Sequence, residues 1–405
     1  MKSQNIVAAI DIGTSHIIAA LAEISTDGEI IPIALAEVPS RGVKKGGVAN
    51  IPLVQHAIDS ALEKVQADAS CHIHSIITSL SGVSIMGYNA DGSVDLKGTP
   101  ITEHNVKQVV AEARDISTLD GRHILHMLRQ SFSVDKQTDI DDPIGLMGER
   151  LAIKVHVISA AKMAYYNLLQ TFSHRDIDIE QVVASGFASA VAVSSADEKK
   201  LGVCVLDIGA GTTDITVIHN GVVKHTEVIP FGGDLINNDV AFFMRTTVEI
   251  ADKIKREINI DESYAPSETI EVPGLSANTR RFAKRDVSTV IEERYNQLLE
   301  VVLQKLARAG VEVLFPGGFV ICGGGAEQLG LDMLLMNQSQ LPVRRAMIEI
   351  PLKDKTAKGS HYAAIMGLFM CAYEEDFTRI MKDDKKTGII KQLINKLTKK
   401  LNNSF

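Results

Sequence analysis

Two acidic residues each close a short apolar run and open a glycine-bearing turn: Asp11-Ile-Gly-Thr-Ser15 and Asp207-Ile-Gly-Ala-Gly-Thr-Thr213. A carboxylate at a strand end can face a hydrated metal ion. Glycines in the turn let backbone N–H groups come close to a phosphate. Gly13, Thr14 and Ser15 follow the first acid, and Gly209, Ala210, Gly211, Thr212 and Thr213 follow the second. Two further glycine clusters fit the same chemistry. Gly323, Gly324 and Gly325 follow an apolar run and precede an expected helix, whose first N–H groups are donors. Pro230-Phe-Gly-Gly-Asp234 places Gly232 and Gly233 at a strand-to-helix junction, with Asp234 expected as an N-cap. One such turn is also what an ordinary hairpin needing positive φ requires. Four of them at strand ends favour a phosphorylated ligand.

The positioning elements repeat. Expected strands Ile6–Ile10, Ile17–Ile24 and Ile30–Val38 carry the Asp11 turn and an Asp27-Gly28 turn. From Leu201 to Pro230 the same meander recurs, with the Asp207 turn and an Asn220-Gly221 turn. Asp-Gly and Asn-Gly are strong hairpin signals. The chain is an internal duplication, and two facing units would set both carboxylates around one cleft.

A helix Ile51–Val65 and a buried strand Ile73–Leu80 complete the first unit. Ser84–Ala160 reads as an inserted subdomain of short strands with an Asp91-Gly92 turn and a helix Glu103–Ile116, returning through strand Leu151–Ile158. A helix Ala161–Phe172, a strand Ile179–Ala184 and a helix beginning at Ala188 follow. The second unit has a helix-rich insertion, about Phe231–Arg308, containing Ser263–Ser276 and Asn278–Lys284 as loops, and Tyr362–Cys371 reads as a helix between the halves. The expected class is α/β and two-lobed. The divisions fall at 1–83 with 161–197 and 361–380; 84–160; 198–229 with 309–360; 230–308; and 381–405.

Composition narrows the function. The chain has 405 residues, net charge −8, 5% aromatic residues and no Trp, which argues against a nucleic-acid binder. Cys71, Cys204, Cys322 and Cys371 are scattered through apolar runs and read as core thiols. His72/His74, alternating on an expected strand, and His123/His126, one helical turn apart, lack metal-site spacing. No signal peptide or spanning run is seen, so a cytosolic or membrane-surface protein is expected.

The end of the chain is distinct. Beyond the charged spacer Glu374–Lys386, Ile389, Ile390, Leu393, Ile394, Leu397, Leu401 and Phe405 form one helical stripe. Lys391, Lys396, Lys399 and Lys400 lie off it. Such a helix lies in a membrane interface with its lysines toward anionic headgroups. The alternative is a terminal helix packed on the body.

The order of these motifs resembles the actin-like ATPases, with the Asp11 and Asp207 turns as phosphate loops 1 and 2 and Cys322-Gly-Gly-Gly-Ala326 as the adenosine loop. Ala184–Ala190 and Tyr362–Leu368 resemble the two connecting helices. More narrowly the chain is similar, over essentially its whole length, to the FtsA family of bacterial cell-division proteins. The strings that carry this are Pro39-Ser-Arg-Gly42, Lys45-Gly-Gly-Val48, Leu80-Ser-Gly82, Pro143-Ile-Gly-Leu146, Lys154-Val-His156, Gly202-Val-Cys-Val205 and Val290-Ile-Glu-Glu-Arg-Tyr295.

The resemblance implies an actin-like, ribonuclease H-like duplicated fold, with the insertion replacing a subdomain of lobe 1. It implies ATP, with Mg²⁺ held by Asp11 and Asp207 through water, and ribose and base contacts at Asp252 and Lys255. It also implies a self-assembling filament tethered by its tail to inner-membrane lipids at the division septum, on the cytoplasmic face. The partners implied are FtsZ, through its C-terminal peptide, and later division proteins at the insertion. Arg280, Arg281, Lys284 and Arg285 form a basic cluster suited to an acidic peptide. Hydrolytic relatives often carry a carboxylate where this chain reads Ser185-Gly-Phe187. No general base can be named, so ATP binding with slow or conditional hydrolysis is expected. A sugar or acid kinase and an actin-like pilus-assembly adaptor are the alternatives on the same fold.

Overall fold

The computed structural model describes residues 6–25, 29–273 and 279–373. The Asp27-Gly28 turn, the spacer and the amphipathic end from Ile389 lie outside the described residues.

The first lobe begins with the meander β1 (Ile6–Ile12), β2 (His16–Ile24) and β3 (Ile30–Pro39). A short ribbon, β4 (Val43–Lys44) and β5 (Gly47–Val48), leads to α1 (Ile51–Ala69) and β6 (Ser75–Leu80). Helix α1 starts where the Asn50 side chain accepts from the Leu53 N–H, and it stops at Ser70 in the left-handed region. An inserted unit follows, comprising β7 (Ile85–Asp95), α2 (Glu103–Ser117), β8 (Arg122–Val134), β9 (Gln137–Ile140) and β10 (Arg150–Ala161). The chain returns through α3 (Lys162–Gln170), β11 (Asp178–Ala184), α4 (Ser185–Val193) and α5 (Ala196–Leu201).

The second lobe repeats the pattern with β12 (Val203–Ile208), β13 (Thr213–His219) and β14 (Val222–Ile229). Its insertion is α6 (Gly233–Met244), α7 (Val248–Glu257), β15 (Thr269–Pro273), β16 (Thr279–Ala283) and α8 (Lys284–Ala309). Then come β17 (Phe319–Cys322), α9 (Leu331–Ser339), β18 (Val343–Arg345), the hairpin β19 (Ile348–Pro351) and β20 (Thr356–Gly359), and α10 (Ala363–Tyr373).

The two main sheets have one topology: β3-β2-β1-β6-β11 and β14-β13-β12-β17-β18. In each, the meander is antiparallel and the last two strands add in parallel beside the first. The duplication is therefore structural. Strand β12 is apolar from Val203 to Leu206 because both its faces are covered, and it reaches the cleft at Asp207. Val203 and Val205 join the core around α4 and α10, while Cys204, Leu206 and Ile208 join a separate core with α6 and α8. None of the four cysteines is in a disulfide, and Cys204, Cys322 and Cys371 are buried.

The inserted unit has its own sheet, β7-β10-β8-β9, and its own core around Val109, Phe132, Leu151 and Val155. Its chain ends lie in the first lobe, yet it rests on β14 of the second. Asn89 Nδ2 donates to the Lys224 carbonyl (3.3 Å), and Gln130 Nε2 donates to the Val223 carbonyl (2.8 Å). His156 Nε2 lies 2.9 Å from Thr226 Oγ1.

Several expectations need correction. The strands of the insertion are long, and Asp91-Gly92 lies inside β7 rather than in a turn. Gly92 is needed because α2 packs directly on it: a Cβ there would meet the Ala113 N at 2.6 Å. His123 and His126 lie on β8, not on a helix, and His72 and His74 precede β6. The Ser263–Ser276 and Asn278–Lys284 segments are not plain loops, because they contribute β15 and β16, paired from Thr269↔Ala283 to Pro273↔Thr279. Helix α4 begins at Ser185, a turn earlier than expected, directly off β11. No described helix is long and apolar enough to cross a membrane.

Candidate functional site

The cleft between the lobes is lined by both acidic turns, Gly323–Gly325, the start of α6 and one face of α7. The two turns close identically. Gly13 N–H donates to the His16 carbonyl (3.0 Å), and Gly209 N–H donates to the Thr212 carbonyl (2.8 Å). They also touch, since a Cβ on Gly211 would lie 2.7 Å from Thr14 Oγ1 and 2.9 Å from Lys45 Cα. Gly323 has φ of 85°, and a Cβ there would fall 2.3 Å from Asp207 Oδ1. That position must be glycine for the third turn to back onto the carboxylate.

Asp234 is not an N-cap. The cap position is Gly232, and no side chain caps α6. Instead Gly233 and Asp234 donate their N–H groups to the Gly209 and Ala210 carbonyls, at 3.0 and 2.8 Å. The second turn itself closes the helix start, so those donors are already engaged. Gly232 and Thr213 support the cleft without lining it; Thr213 Oγ1 donates to the Phe231 carbonyl at 2.8 Å. Asp11, Gly13, Thr14, Ser15, Asp207, Gly209, Ala210, Gly211, Thr212, Gly233, Asp252, Lys255 and Gly323–Gly325 all reach it.

Three carboxylates meet here, with Asp11 and Asp214 buried and Asp207 half-buried. Burial pushes Asp11 from 3.8 up to about 6, with a Ser79 hydrogen bond opposing and the Asp207 charge adding. Asp207 is raised by burial, while Ser189 Oγ donates to its Oδ2 at 2.5 Å. Asp214 is raised well above the carboxylate range by burial and then by Asp207. Buried like charges of this kind call for a cation. Among the described residues no three His, Cys, Asp or Glu side chains form a closed metal-ligand group. The oxygen donors therefore suit a hard cation that keeps waters and takes phosphate oxygens, as Mg²⁺ does.

Asp214 was missed in the sequence, and it corrects the expectation of no carboxylate at the first connecting helix. Strands β12 and β13 pair Asp207 directly with Asp214, so both side chains share one face. A Cβ on Gly186 would meet Asp214 Cβ at 2.4 Å, which places this carboxylate against the start of α4. The hairpin register was the available signal. The first lobe has Ile18 in the equivalent position, opposite Asp11.

Asp252 and Lys255 sit together, with Lys255 Nζ 3.5 Å from Asp252 Oδ1. Burial lowers Lys255, and Asp252 pulls it back. Asp252 Oδ1 also accepts from Asn237 Nδ2 at 3.0 Å, and its Oδ2 accepts from Arg256 Nε at 2.9 Å. Burial raises Asp252, but these cationic partners bring it below the usual carboxylate value. The basic cluster lies elsewhere. Arg280 and Arg281 are on β16, and Lys284 and Arg285 open α8. Arg281 pairs with Glu271 (2.8 Å), Arg285 pairs with Asp286 (3.2 Å), and Lys284 Nζ stands 5.4 Å from the Tyr264 ring centre.

A pH prediction follows. Because the folded-state pKa of Asp11 is raised, its stabilising contribution is complete below 3.8 and lost as pH rises through about 6. In thermal melts of the ligand-free protein, Asp11→Asn should lose the part of the decline between these values that the wild type shows. Parallel wild-type and variant curves would refute the assignment.

Comparison with known proteins agrees with this architecture. Residues 82–159 match the family model described as the SHS2 domain inserted in FtsA, and 204–367 match that of cell division protein FtsA. Cell division protein FtsA of Pseudomonas aeruginosa is 33% identical over 91% of this chain and 90% of its own length. That of Escherichia coli K12 is 30% identical over 99% of both. Among solved structures, a chain of the PilM-PilN type IV pilus biogenesis complex superposes with a TM-score of 0.62 at 16% identity, covering 91% of this chain and 98% of that one. MreB5 of Spiroplasma citri, solved bound to AMPPNP, gives a TM-score of 0.52 at 13% identity, covering 95% and 100%. These structures establish the actin-like fold, and the sequence relatives go further: the chain belongs to the FtsA family of cell division proteins.

Proposed function

We propose that the chain binds ATP with Mg²⁺ in this cleft and uses the bound state to set its assembly at the membrane during division. The observation that carries the reading is the set of buried carboxylates between two duplicated glycine turns. Bound Mg²⁺ would neutralise those carboxylates and the phosphate charge together. Asp11 and Asp207 hold the hydrated cation, and the turns at Gly13–Ser15 and Gly209–Thr212 cradle the phosphates. Gly323–Gly325 faces the adenosine, with Asp252 and Lys255 toward ribose and base. Asp214 is the carboxylate placed to accept a proton from an attacking water, and its raised affinity for protons fits slow or conditional hydrolysis.

The rest of the proposal concerns assembly. The chain forms filaments and lies on the cytoplasmic face of the inner membrane at the septum through residues 389–405. It tethers FtsZ by the FtsZ C-terminal peptide, with Arg280, Arg281, Lys284 and Arg285 as the acidic-peptide contact. Later division proteins are recruited through the insertion. One tail binds reversibly, and several on one filament bind by avidity, about 10²–10⁴-fold more tightly.

Co-sedimentation with vesicles containing phosphatidylglycerol tests the tether. The full chain with ATP should pellet, and a chain ending at Asp384 should stay in the supernatant. Equal pelleting of the two would remove the tail from the reading.

A further inference from the structure

Beside the cleft, where the chain passes from β20 into α10, side chains from both lobes meet around one imidazole. His361 Nδ1 lies 2.9 Å from Glu327 Oε1 of the second lobe. His361 Nε2 lies 3.8 Å from Glu37 Oε2 on β3 of the first. Each carboxylate has further partners. Glu37 Oε2 accepts from Tyr362 OH at 3.2 Å, and Glu37 Oε1 is 3.6 Å from His16 Nδ1 on β2. Glu327 Oε1 accepts from the Ser360 N–H at 3.0 Å, and Glu327 Oε2 is 3.6 Å from Arg256 Nη1 on α7. The ring is seated against Gly359, where a Cβ would come within 2.4 Å of it. All of His16, Glu37, Arg256, Glu327 and His361 line the cleft.

We propose that His361, as an imidazolium, is a positioning residue that holds Glu37 and Glu327 together across the two lobes and so sets how firmly the cleft closes on its nucleotide. This rests on the reading of the cleft as an ATP site. The physical argument is one of donor count and charge. An imidazolium offers an N–H to each carboxylate, whereas a neutral ring has one N–H and one acceptor. Without the cation, two carboxylates on opposite lobes face each other with like charge, and the lobes separate.

Burial opposes the charged ring, but the hydrogen bond to Glu327 and the nearby charges of Glu327 and Glu37 outweigh it, lifting the His361 pKa from 6.5 to about 9. Glu37 is correspondingly lowered, first by the nearby His361, with His16 adding. Glu327 is raised by burial, but His361 and then Arg256 bring it below the usual value. Asp11 feels the same positive charge more weakly. The sign is therefore opposite to that of a depressed carboxylate. The clasp contributes fully below 6.5 and is lost as pH rises through about 9.

The test compares wild type with His361→Gln, which keeps a donor of similar reach and removes the charge. Dissociation of a fluorescent ATP analogue with Mg²⁺ is followed by stopped flow from pH 7 to 10, beside thermal melts without nucleotide over the same range. At pH 7 the variant should release the analogue about tenfold faster, the scale of one charge-assisted hydrogen bond. Wild-type release should quicken through pH 9 until it meets the variant, whose rate stays flat. In the melts, the wild type should lose its advantage over the variant across the same pH range. Equal release at pH 7, or a wild-type profile parallel to that of the variant, overturns the clasp. If the wild type binds no analogue, the ATP reading fails, and the nucleotide-free melts still decide the clasp: converging curves support it and parallel curves refute it.

Discussion

Asp207→Asn should weaken Mg²⁺-dependent ATP binding by about 10²–10³-fold, the scale expected when one partner of a buried charge pair is removed. The ligand-free variant should melt no earlier than the wild type. Both halves follow from the same burial. The wild-type carboxylate is half-buried beside Asp214 and near Asp11, and its charge makes the ionisation of both harder. Asparagine has the same shape and can still accept from Ser189 Oγ, but it carries no charge for a cation. Removing it relieves repulsion in the empty cleft and removes attraction in the filled one. Calorimetric titration of ATP with and without Mg²⁺ checks the first half, and scanning calorimetry checks the second. Wild-type affinity in the variant would take Asp207 out of the cation site.

Gly367→Val should destabilise the whole protein by about 3 kcal/mol or more, lowering Tm by roughly 4 °C or more. Helices α4 and α10 cross between the lobes so closely that a Cβ on Gly367 would lie 1.9 Å from the Ala188 carbonyl oxygen. Backbone blocks the added atom, so no rotamer change can absorb it, and the helices must part. Their core includes Phe187, Ala188, Ile365 and Leu368, all under 2% exposed, and it would open with them. Met366→Leu, at the neighbouring half-buried position, conserves volume and should change Tm little. A Val variant that melts like the wild type would mean the crossing can widen freely.

The two meanders were legible because their signals are local. An acid, a glycine turn and an apolar strand within a dozen residues constrain each other, and the repeat at Asp207 doubles the information. The same holds for α2, where Thr102 and Asn105 cap the start reciprocally. What was illegible depends on distant partners. Gly92 looks like a turn residue until Ala113 is seen packed on it. Residues 269–283 looked like loop because β15 and β16 form a five-residue pair with mostly exposed side chains, too short for a strong alternation. His126 looked helical by spacing, yet its Nε2 accepts from the Ala184 N–H at 3.0 Å, deep inside a sheet contact.

The site divides in the same way. Every glycine turn of the cleft could be read from its own neighbourhood. Asp214 needed the hairpin register, which the turn length encodes but a motif scan ignores. The group of Glu37, Arg256, Glu327 and His361 could not be read at all, because only the folded duplication brings those four segments together.

The seat of the insertion on β14 has one more consequence. The insertion is rooted in the first lobe through β6 and α3, but its footing is on the second, through Asn89, Gln130 and His156. Those links are neutral hydrogen bonds, each worth roughly 1 kcal/mol and replaceable by water. A hinge movement of the lobes must therefore either slide that footing or tilt the insertion about its root. In both cases the outer surface of the insertion moves with the cleft, as a pointer moves with a dial. A protein bound there can register whether the cleft is open or shut without approaching it.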